Sequence, residues 1–444
     1  MPISVAIIGA GPAGFYTAEA LLSLPIGARV DVIERLPSPY GLVRAGVAPD
    51  HQGTKRVAHR FAETASHDSV AFFGNVAVGR DVSLDELRAL YDAVVLAVGA
   101  PSDRALGIPG DAMPGVYGSA SFVGWYNGHP DFCDLAPKLD TRAAVVIGNG
   151  NVALDVARVL VKSPAEMAET DIAEHAARAI HASPLTDVYI LGRRGPGETR
   201  FTSAELRELG RLADCAPVVD PADLPEEDGA GGDAAVAGSG EIDREKRIRD
   251  KNLAILRSFT TLSKDTKRKR MHFCFHAAPA EIVGGERVEG LRYERTRVEQ
   301  GHVIRTGVFG AIACGLVVAA IGYRASRIAG LPFDGERGLI PNEDGRVAPG
   351  VYAVGWAKRG PTGIIASNRP DGIACARQIA EDVMTTSDKP GRAGLERLLG
   401  ERGARWISFA EWQRLDAAEV TAGGGIAPRR KFISLAEMLT NLND

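Results

Sequence analysis

The apolar run ISVAII at residues 3–8 meets the turn Gly9-Ala10-Gly11-Pro12-Ala13-Gly14. Beyond the turn, apolar positions from Phe15 to Leu24 recur at helical spacing. A second apolar run, Ala28 to Ile33, ends at Glu34. Continuous short apolar runs read as strands buried on both faces, whereas 3.6-residue spacing reads as a helix covering them. The predicted order is strand, Gly-rich turn, helix, strand, acidic residue. The same order returns 139 residues later. Ala143 to Ile147 is the strand, Gly148-Asn149-Gly150-Asn151-Val152-Ala153 the turn and Val152 to Val161 the helix. Asp187 to Leu191 is the second strand, followed by Gly192-Arg193-Arg194. Two such βαβ units predict an α/β chain with two dinucleotide-binding domains.

Further strands are predicted at Asp92–Val98, Gly315–Ile321 and Gly350–Val354, and a long helix at Thr362–Met384. Residues 241–262 read as helix. Residues 271–306 alternate and read as a β-ribbon, with strands Met271–His276, Ala280–Val283, Val288–Thr296 and His302–Thr306. Residues 214–243 hold nine acidic residues and no Lys or Arg, with Gly and Ala dominating from Gly229 to Gly240, which predicts a solvated loop. The next stretch, 244–270, is rich in Lys and Arg.

The turns carry candidate chemistry. Gly9 makes the tight turn, Gly11 lets backbone approach a pyrophosphate, and Gly14 allows close helix–strand packing. The helix N-terminus favours the anion. Glu34 lies 20 residues past Gly14, where a carboxylate accepts from ribose hydroxyls and repels a 2′-phosphate. The first unit therefore suits FAD or NAD. In the second unit Gly148, Gly150 and Ala153 occupy the fingerprint slots, but the second strand runs into Arg193 and Arg194. Two guanidiniums there favour a 2′-phosphate and hence NADP(H). One chain with both cradles implies a flavoprotein that accepts hydride from a nicotinamide, with no metal required.

Composition narrows the class. The five cysteines, Cys133, Cys215, Cys274, Cys314 and Cys375, form no C-x-x-C pair, which excludes a local redox dithiol or an iron–sulfur run. Electrons must then leave the flavin for an acceptor outside the chain. A net charge of −4 argues against binding nucleic acid over the whole surface. No apolar run reaches the roughly 20 residues of a membrane span, so no membrane insertion is expected. With a strand beginning at Ile3 there is no room for a leader, and scattered thiols suit a reducing compartment; the cytoplasm is the expected location.

Several longer blocks resemble one family. They are Gly11-Pro12-Ala13-Gly14-Phe15-Tyr16, residues 40–51 (YGLVRAGVAPDH), residues 122–128 (FVGWYNG), residues 150–158 (GNVALDVAR), residues 192–196 (GRRGP) and residues 355–363 (GWAKRGPTG). Together they resemble adrenodoxin reductase, and specifically the bacterial NADPH–ferredoxin reductases of that type, from residue 3 to about residue 440. The resemblance implies two Rossmann-like domains of the glutathione-reductase-like type. The NADP domain (108–329) is inserted into a discontinuous FAD domain (1–107 and 330–444). It implies electron flow from NADPH to FAD to a ferredoxin-type iron–sulfur protein. FAD contacts are implied at Ala13, Glu34, Leu42, Val78, Trp356, Gly363, Ile364 and Ile365. NADP contacts are implied at Asn149, Gly150, Asn151, Val152, Arg193, Arg194, Glu205 and Gly363. Trp356 stands where many related two-nucleotide flavoproteins carry Asp, which argues against those relatives.

The resemblance also places His51 near the flavin, where a His can relay a proton or simply pack. Glu205 stands in the predicted helix Ser203–Arg211, near its capping end, and either meets the nicotinamide side or only favours the helix N-terminus. Asp155 reads as structural. Arg200, Arg207 and Arg211 are candidates for docking an acidic ferredoxin, or are a solvated helix end; the Lys264–Arg270 run reads as solvated surface. Two other functions stay open: an NADPH-dependent reductase of quinones or small acceptors (a diaphorase), and a redox-sensing nucleotide-binding protein without turnover.

Overall fold

The computed structural model describes residues 2–25, 27–226, 241–263, 266–383 and 388–442. Residues 227–240 of the loop expected over 214–243, and Lys264 and Met384, lie outside the described residues. Two six-stranded sheets organise the chain. The first runs in the order 346–348, 351–353, 93–96, 3–8, 28–33, 70–73, parallel except for the antiparallel edge hairpin. Its central strand Ile3–Ile8 explains the unbroken apolar run. Val5 and Ile7 pack on one face with Phe15, Leu21 and Phe61, while Ala6 and Ile8 pack on the other with Leu87, Leu395 and Leu399. Burying each large aliphatic side chain contributes about 1.5–3 kcal/mol, so a strand sandwiched this way cannot afford polar alternation.

The second sheet is wholly parallel, in the order 116–118, 316–319, 143–147, 187–191, 269–274, 215–219. Helix Asn151–Val161 and the long helix Glu241–Thr260 cover one face through Leu154, Ala157, Leu256 and Phe259. A three-stranded antiparallel ribbon, Ala277–Gly284, Val288–Glu299 and His302–Ala313, covers the other through Ile282, Leu291 and Ile312. The two sheets are joined by links that pair side by side, Ser102–Asp103 with Tyr323–Arg324. Asp103 also accepts from the N–H groups of Ala120 (2.7 Å) and Ser121 (3.2 Å), holding the first turn of helix Ser119–Tyr126.

Four expected elements are corrected. The stretch 214–243, expected as a solvated loop, contains strand Cys215–Val219, the edge strand of the second sheet, with Cys215, Ala216 and Val219 buried. Met271–His276 does not join the ribbon: residues 269–274 form a parallel sheet strand, and their alternation arises because Met271 and Phe273 face the helices while His272 and Cys274, half-buried, lie on the opposite face toward the ribbon. The last ribbon strand continues past Thr306 to Ala313. The helix expected over Thr362–Met384 begins only at Asn368, because Gly363 has φ +85° and Ile365–Ser367 form a 3-10 turn; it ends at Asp382.

Candidate functional site

The first cradle is built by strand Ile3–Ile8 running into helix Pro12–Leu22. Gly9 has φ +107°, and a Cβ there would overlap the Ala97 carbonyl oxygen; a Cβ on Gly14 would overlap the Gly9 carbonyl oxygen. Gly11 caps the helix without a side-chain hydrogen bond and has open space where a Cβ would stand. The first-turn N–H groups are thus left for an anion. Gly41, at φ +47°, closes over Gly11, and Gly355 packs directly on Ala13. Glu34 is anchored by two backbone donors, Ala10 N–H to Oε2 (3.0 Å) and Leu36 N–H to Oε1 (3.1 Å). Burial raises its carboxyl against those two bonds. Each oxygen keeps a second lone pair for a hydroxyl donor. Leu42 and Ile364 present exposed apolar surface to this region (44% and 65%). Trp356 stacks on Tyr323 at 5.7 Å and donates from Nε1 to the Thr362 carbonyl (3.0 Å). Val78 is half-buried beside the core under the first sheet, and Ile365 packs partly buried on its other face. A cradle that any Cβ would fill, an anchored acid and flanking apolar groups fit the pyrophosphate, adenosine and ring system of FAD.

The second cradle repeats the geometry. Gly148 has φ +148° and meets the Ala320 carbonyl; Gly150 caps helix Asn151–Val161 with open space beside it; Ala153 is fully buried in the third slot. Both polar atoms of the Asn149 side chain are buried and have no partner among the described residues, and so is Arg194 Nε. Gly192 leaves room for Asn149, where a Cβ would overlap its amide. Arg193 is exposed and Arg194 half-buried. Orphaned amide and guanidinium donors beside a Gly turn fit a phosphorylated nucleotide, as NADP(H) is. Asn151 Oδ1 accepts from Thr202 N–H (2.8 Å), and Thr202 Oγ1 in turn caps helix Ser203–Leu209 through Glu205 N–H (3.3 Å). The turn therefore positions the helix that bears Glu205.

Between the cradles lies a cluster of charge. His51 Nε2 stands 3.4 Å from Glu205 Oε2 and 3.1 Å from Glu208 Oε2, and His51 Nδ1 is 3.9 Å from Asp155. Beneath them Arg158, fully buried, binds Asp50 (2.7 Å), Asp155 (2.8 Å) and Glu205 (3.2 Å). Lys162 adds a second cation to Asp50 at 2.7 Å. Burial would raise the Asp50 carboxyl, but Arg158 and Lys162 hold it far below the usual range. The structure thus unites the two expected residues, His51 and Glu205, and gives Asp155 a role in positioning Arg158. Arg158 and Asp50 went unrecognised in the sequence; the available signal was one Arg on the apolar face of a buried helix. His51, Glu205 and Glu208 could between them offer three atoms to a metal ion; the Arg158 guanidinium lies 3.2 Å from Glu205 and 3.9 Å from Glu208 and supplies those carboxylates with a counter-charge.

The Glu205 carboxyl is raised to about 7, chiefly by burial and next by the Asp155 charge. A carboxyl raised in this way takes up a proton on folding. Its contribution is present below its ordinary 4.5 and is lost as pH rises through about 7. Wild type should therefore lose stability between about pH 5 and pH 8 that Glu205→Gln retains. Urea midpoints across that range test this; a wild-type-to-variant difference that does not change with pH contradicts it.

Arg200, Arg207 and Arg211 are exposed and have no side-chain ion pair among the described residues. The basic run is different. Arg268 pairs with Asp214 at 2.5 Å, and Lys267 donates to the Leu212 and Ala213 carbonyls (2.7 and 2.6 Å), so its charge is spent locally. Helix Glu241–Thr260 passes against the turn Pro196–Glu198, with Arg249 beside Gly197, and exposes Arg244, Lys246, Arg247 and Lys251.

Residues 3–188 match the family profile of the pyridine nucleotide-disulphide oxidoreductases. The mitochondrial NADPH:adrenodoxin oxidoreductase of Arabidopsis thaliana is 41% identical, covering 99% of this chain and 95% of that protein. The NADPH-ferredoxin reductase FprA of Mycobacterium tuberculosis is likewise 41% identical, over 99% of this chain and 98% of its own. A solved structure of M. tuberculosis FprA in complex with NADPH superposes with a TM-score of 0.92, at 39% identity and covering 100% of both chains.

Proposed function

The chain belongs to the adrenodoxin reductase family of NADPH–ferredoxin reductases, and from that premise we propose that it passes electrons from NADPH through FAD to a ferredoxin-type iron–sulfur protein. The observation that carries this reading is the opposite charge at the ends of two otherwise matching cradles: Glu34 in the first, Arg193 and Arg194 in the second. FAD held in the first cradle would supply the conversion of a two-electron hydride into single electrons that an iron–sulfur protein can take. The chain supplies placement. Gly9, Gly11 and Gly14 admit one pyrophosphate to a helix N-terminus, and Glu34 refuses a 2′-phosphate. Asn149 to Val152 admit the other nucleotide, and the two arginines select its 2′-phosphate. His51 Nε2 and the Glu205 and Glu208 carboxylates hold a proton at the junction. Orientation of two bound rings, rather than acid–base strength, supplies most of the rate.

We assign the docking surface to Arg200, Arg207 and Arg211, extended by the exposed basic face of helix Glu241–Thr260. The expected location is the cytosol: among the described residues the five cysteines are all free, and no helix is long and apolar enough to cross a membrane. The test is cytochrome c reduction by NADPH with and without an acidic ferredoxin from the same genome. Dependence on ferredoxin, weakened by salt and by charge reversal at Arg207 and Arg211, supports the reading. Equal rates without ferredoxin favour a diaphorase, and flavin that NADPH leaves oxidised favours a sensor.

A further inference from the structure

Strand Lys269–Cys274 lies parallel to Asp187–Leu191 with Cys274 opposite Leu191, so both release their chains at the same edge of the sheet. In an open α/β sheet this carboxyl edge is where ligands bind. Past the edge the two connections are laced together. Gly192 N–H donates to the Cys274 carbonyl (2.9 Å), Ala277 N–H to the Gly192 carbonyl (2.9 Å) and His276 N–H to the Arg194 carbonyl (3.1 Å). Thr296 Oγ1 donates to the Arg193 carbonyl (2.8 Å). The backbone of the arginine loop is therefore set by the turn that carries His276.

His276 has φ +52°, a left-handed conformation uncommon outside Gly, Asn and Asp. That backbone brings its ring against the arginine loop: a Cβ placed on Gly195 would lie 2.7 Å from His276 Nε2. The opposite nitrogen, Nδ1, is buried without a partner among the described residues, as is the neighbouring Arg194 Nε. The charged groups nearest the turn come from three elements: Arg194 and Glu198 from the loop, with Glu198 Oε2 3.1 Å from the same Gly195 Cβ position as the ring; Asp223 from the short turn Pro221–Asp223, within electrostatic reach of His276; and Arg295 from strand Val288–Glu299, which donates to the adjacent Phe275 carbonyl (3.2 Å).

We propose that His276 is a third basic determinant of coenzyme choice, its protonated imidazole joining Arg193 and Arg194 around the 2′-phosphate of NADP(H). This rests on the assignment of the second cradle to NADP(H). Imidazole changes charge between about pH 5 and 8. An anionic 2′-phosphate favours the charged ring, so the gain in affinity is present at low pH and is lost as pH rises through the titration of the complex.

The experiment measures NADP+ and NAD+ dissociation constants on the flavin-loaded protein from pH 6 to 8.5, for wild type and His276→Asn. Asparagine tolerates the left-handed backbone. The ligand's own titration is common to both proteins and cancels in their ratio. The expected result is NADP+ binding about five- to tenfold weaker in the variant at pH 6, converging to within about twofold at pH 8.5, with NAD+ unchanged throughout. Equal weakening for both coenzymes, or a loss of NADP+ affinity that does not vary with pH, overturns the proposal. His276→Gly, also compatible with this φ, serves if the Asn variant does not fold. Arg193→Leu/Arg194→Leu is measured in parallel. If that double variant keeps its preference for NADP+, the coenzyme assignment itself has failed; if it loses the preference while His276→Asn does not, only the role of His276 has failed.

Discussion

Replacing Arg193 and Arg194 together by leucine is expected to raise the KM for NADPH by about 100-fold or more and to leave that for NADH within about threefold. A hydrogen bond to a charged group contributes about 1.5–3 kcal/mol, and 1.4 kcal/mol is tenfold in affinity, so losing two guanidinium contacts spans that range. NADH never makes those contacts and does not register their loss. The side chains are solvent-facing to half-buried and neither is part of a buried ion pair among the described residues, so the fold should be unaffected. Flavin content should also hold, because Glu34 and the first Gly turn lie on the other sheet. Steady-state kinetics with both coenzymes on one flavin-normalised preparation decide the matter; equal increases for NADPH and NADH contradict it.

Asp171→Asn is expected to cost about 3–5 kcal/mol of stability at pH 7. Asp171 lies between strands Ala143–Ile147 and Asp187–Leu191 of the second sheet and is nearly fully buried. It binds Lys55 at 2.6 and 2.8 Å and Lys431 at 3.0 Å, two cations drawn from the opposite ends of the remaining sequence. Lys431 also donates to the carbonyls of Asn127 (3.0 Å) and Arg44 (3.2 Å). One carboxylate thus neutralises two ammonium groups where the first sheet's surroundings meet the second's. Burial would raise Asp171, but Lys431 and Lys55 outweigh it and hold the carboxyl at about 2. Because this pKa is depressed, the stabilisation is complete above the ordinary carboxyl range near 3.9 and is lost as pH falls through about 2. Asparagine leaves two buried cations without a counter-charge. Burial already pushes both lysines down, Lys431 strongly, so the variant should recover stability as pH rises and the amines become neutral. Urea unfolding at pH 7 and pH 10 tests both parts: a midpoint unchanged by the substitution, or a deficit that grows with pH, contradicts this account.

The readable part of the chain was the part fixed by local pattern. Strands such as Ile3–Ile8 and Ala143–Ile147 must be apolar on both faces, so their sequence admits little else. The Gly turns were legible because the same glycine spacing recurs in both units, and the fold gives its reason: a Cβ at Gly9 or Gly148 would collide with the Ala97 or Ala320 carbonyl just past the neighbouring strand. Residues 269–274 were misplaced because alternation records only that one face is buried, not which strand pairs alongside. The start of helix Asn368–Asp382 was misplaced because Gly363 and Pro361 sit inside a stretch of otherwise helical composition. The charge cluster was illegible for a different reason. Asp50 meets Arg158 across 108 positions, and Lys431 meets Asn127 across 304, so no window of sequence contains both partners. His51 and Glu205 were found through the family resemblance; their counter-ion Arg158 lay inside one of the same matching blocks, and its burial became visible only in the fold.

Two cofactor sites of opposite preference make a single demand on the purified protein. Anaerobic titration with NADPH, followed at the flavin absorbance band, tests it most directly. A yellow protein bleached by about one equivalent of NADPH, with NADH needed in large excess, is the predicted result. A colourless protein that cannot be reconstituted with FAD, or flavin that bleaches equally with either coenzyme, contradicts it.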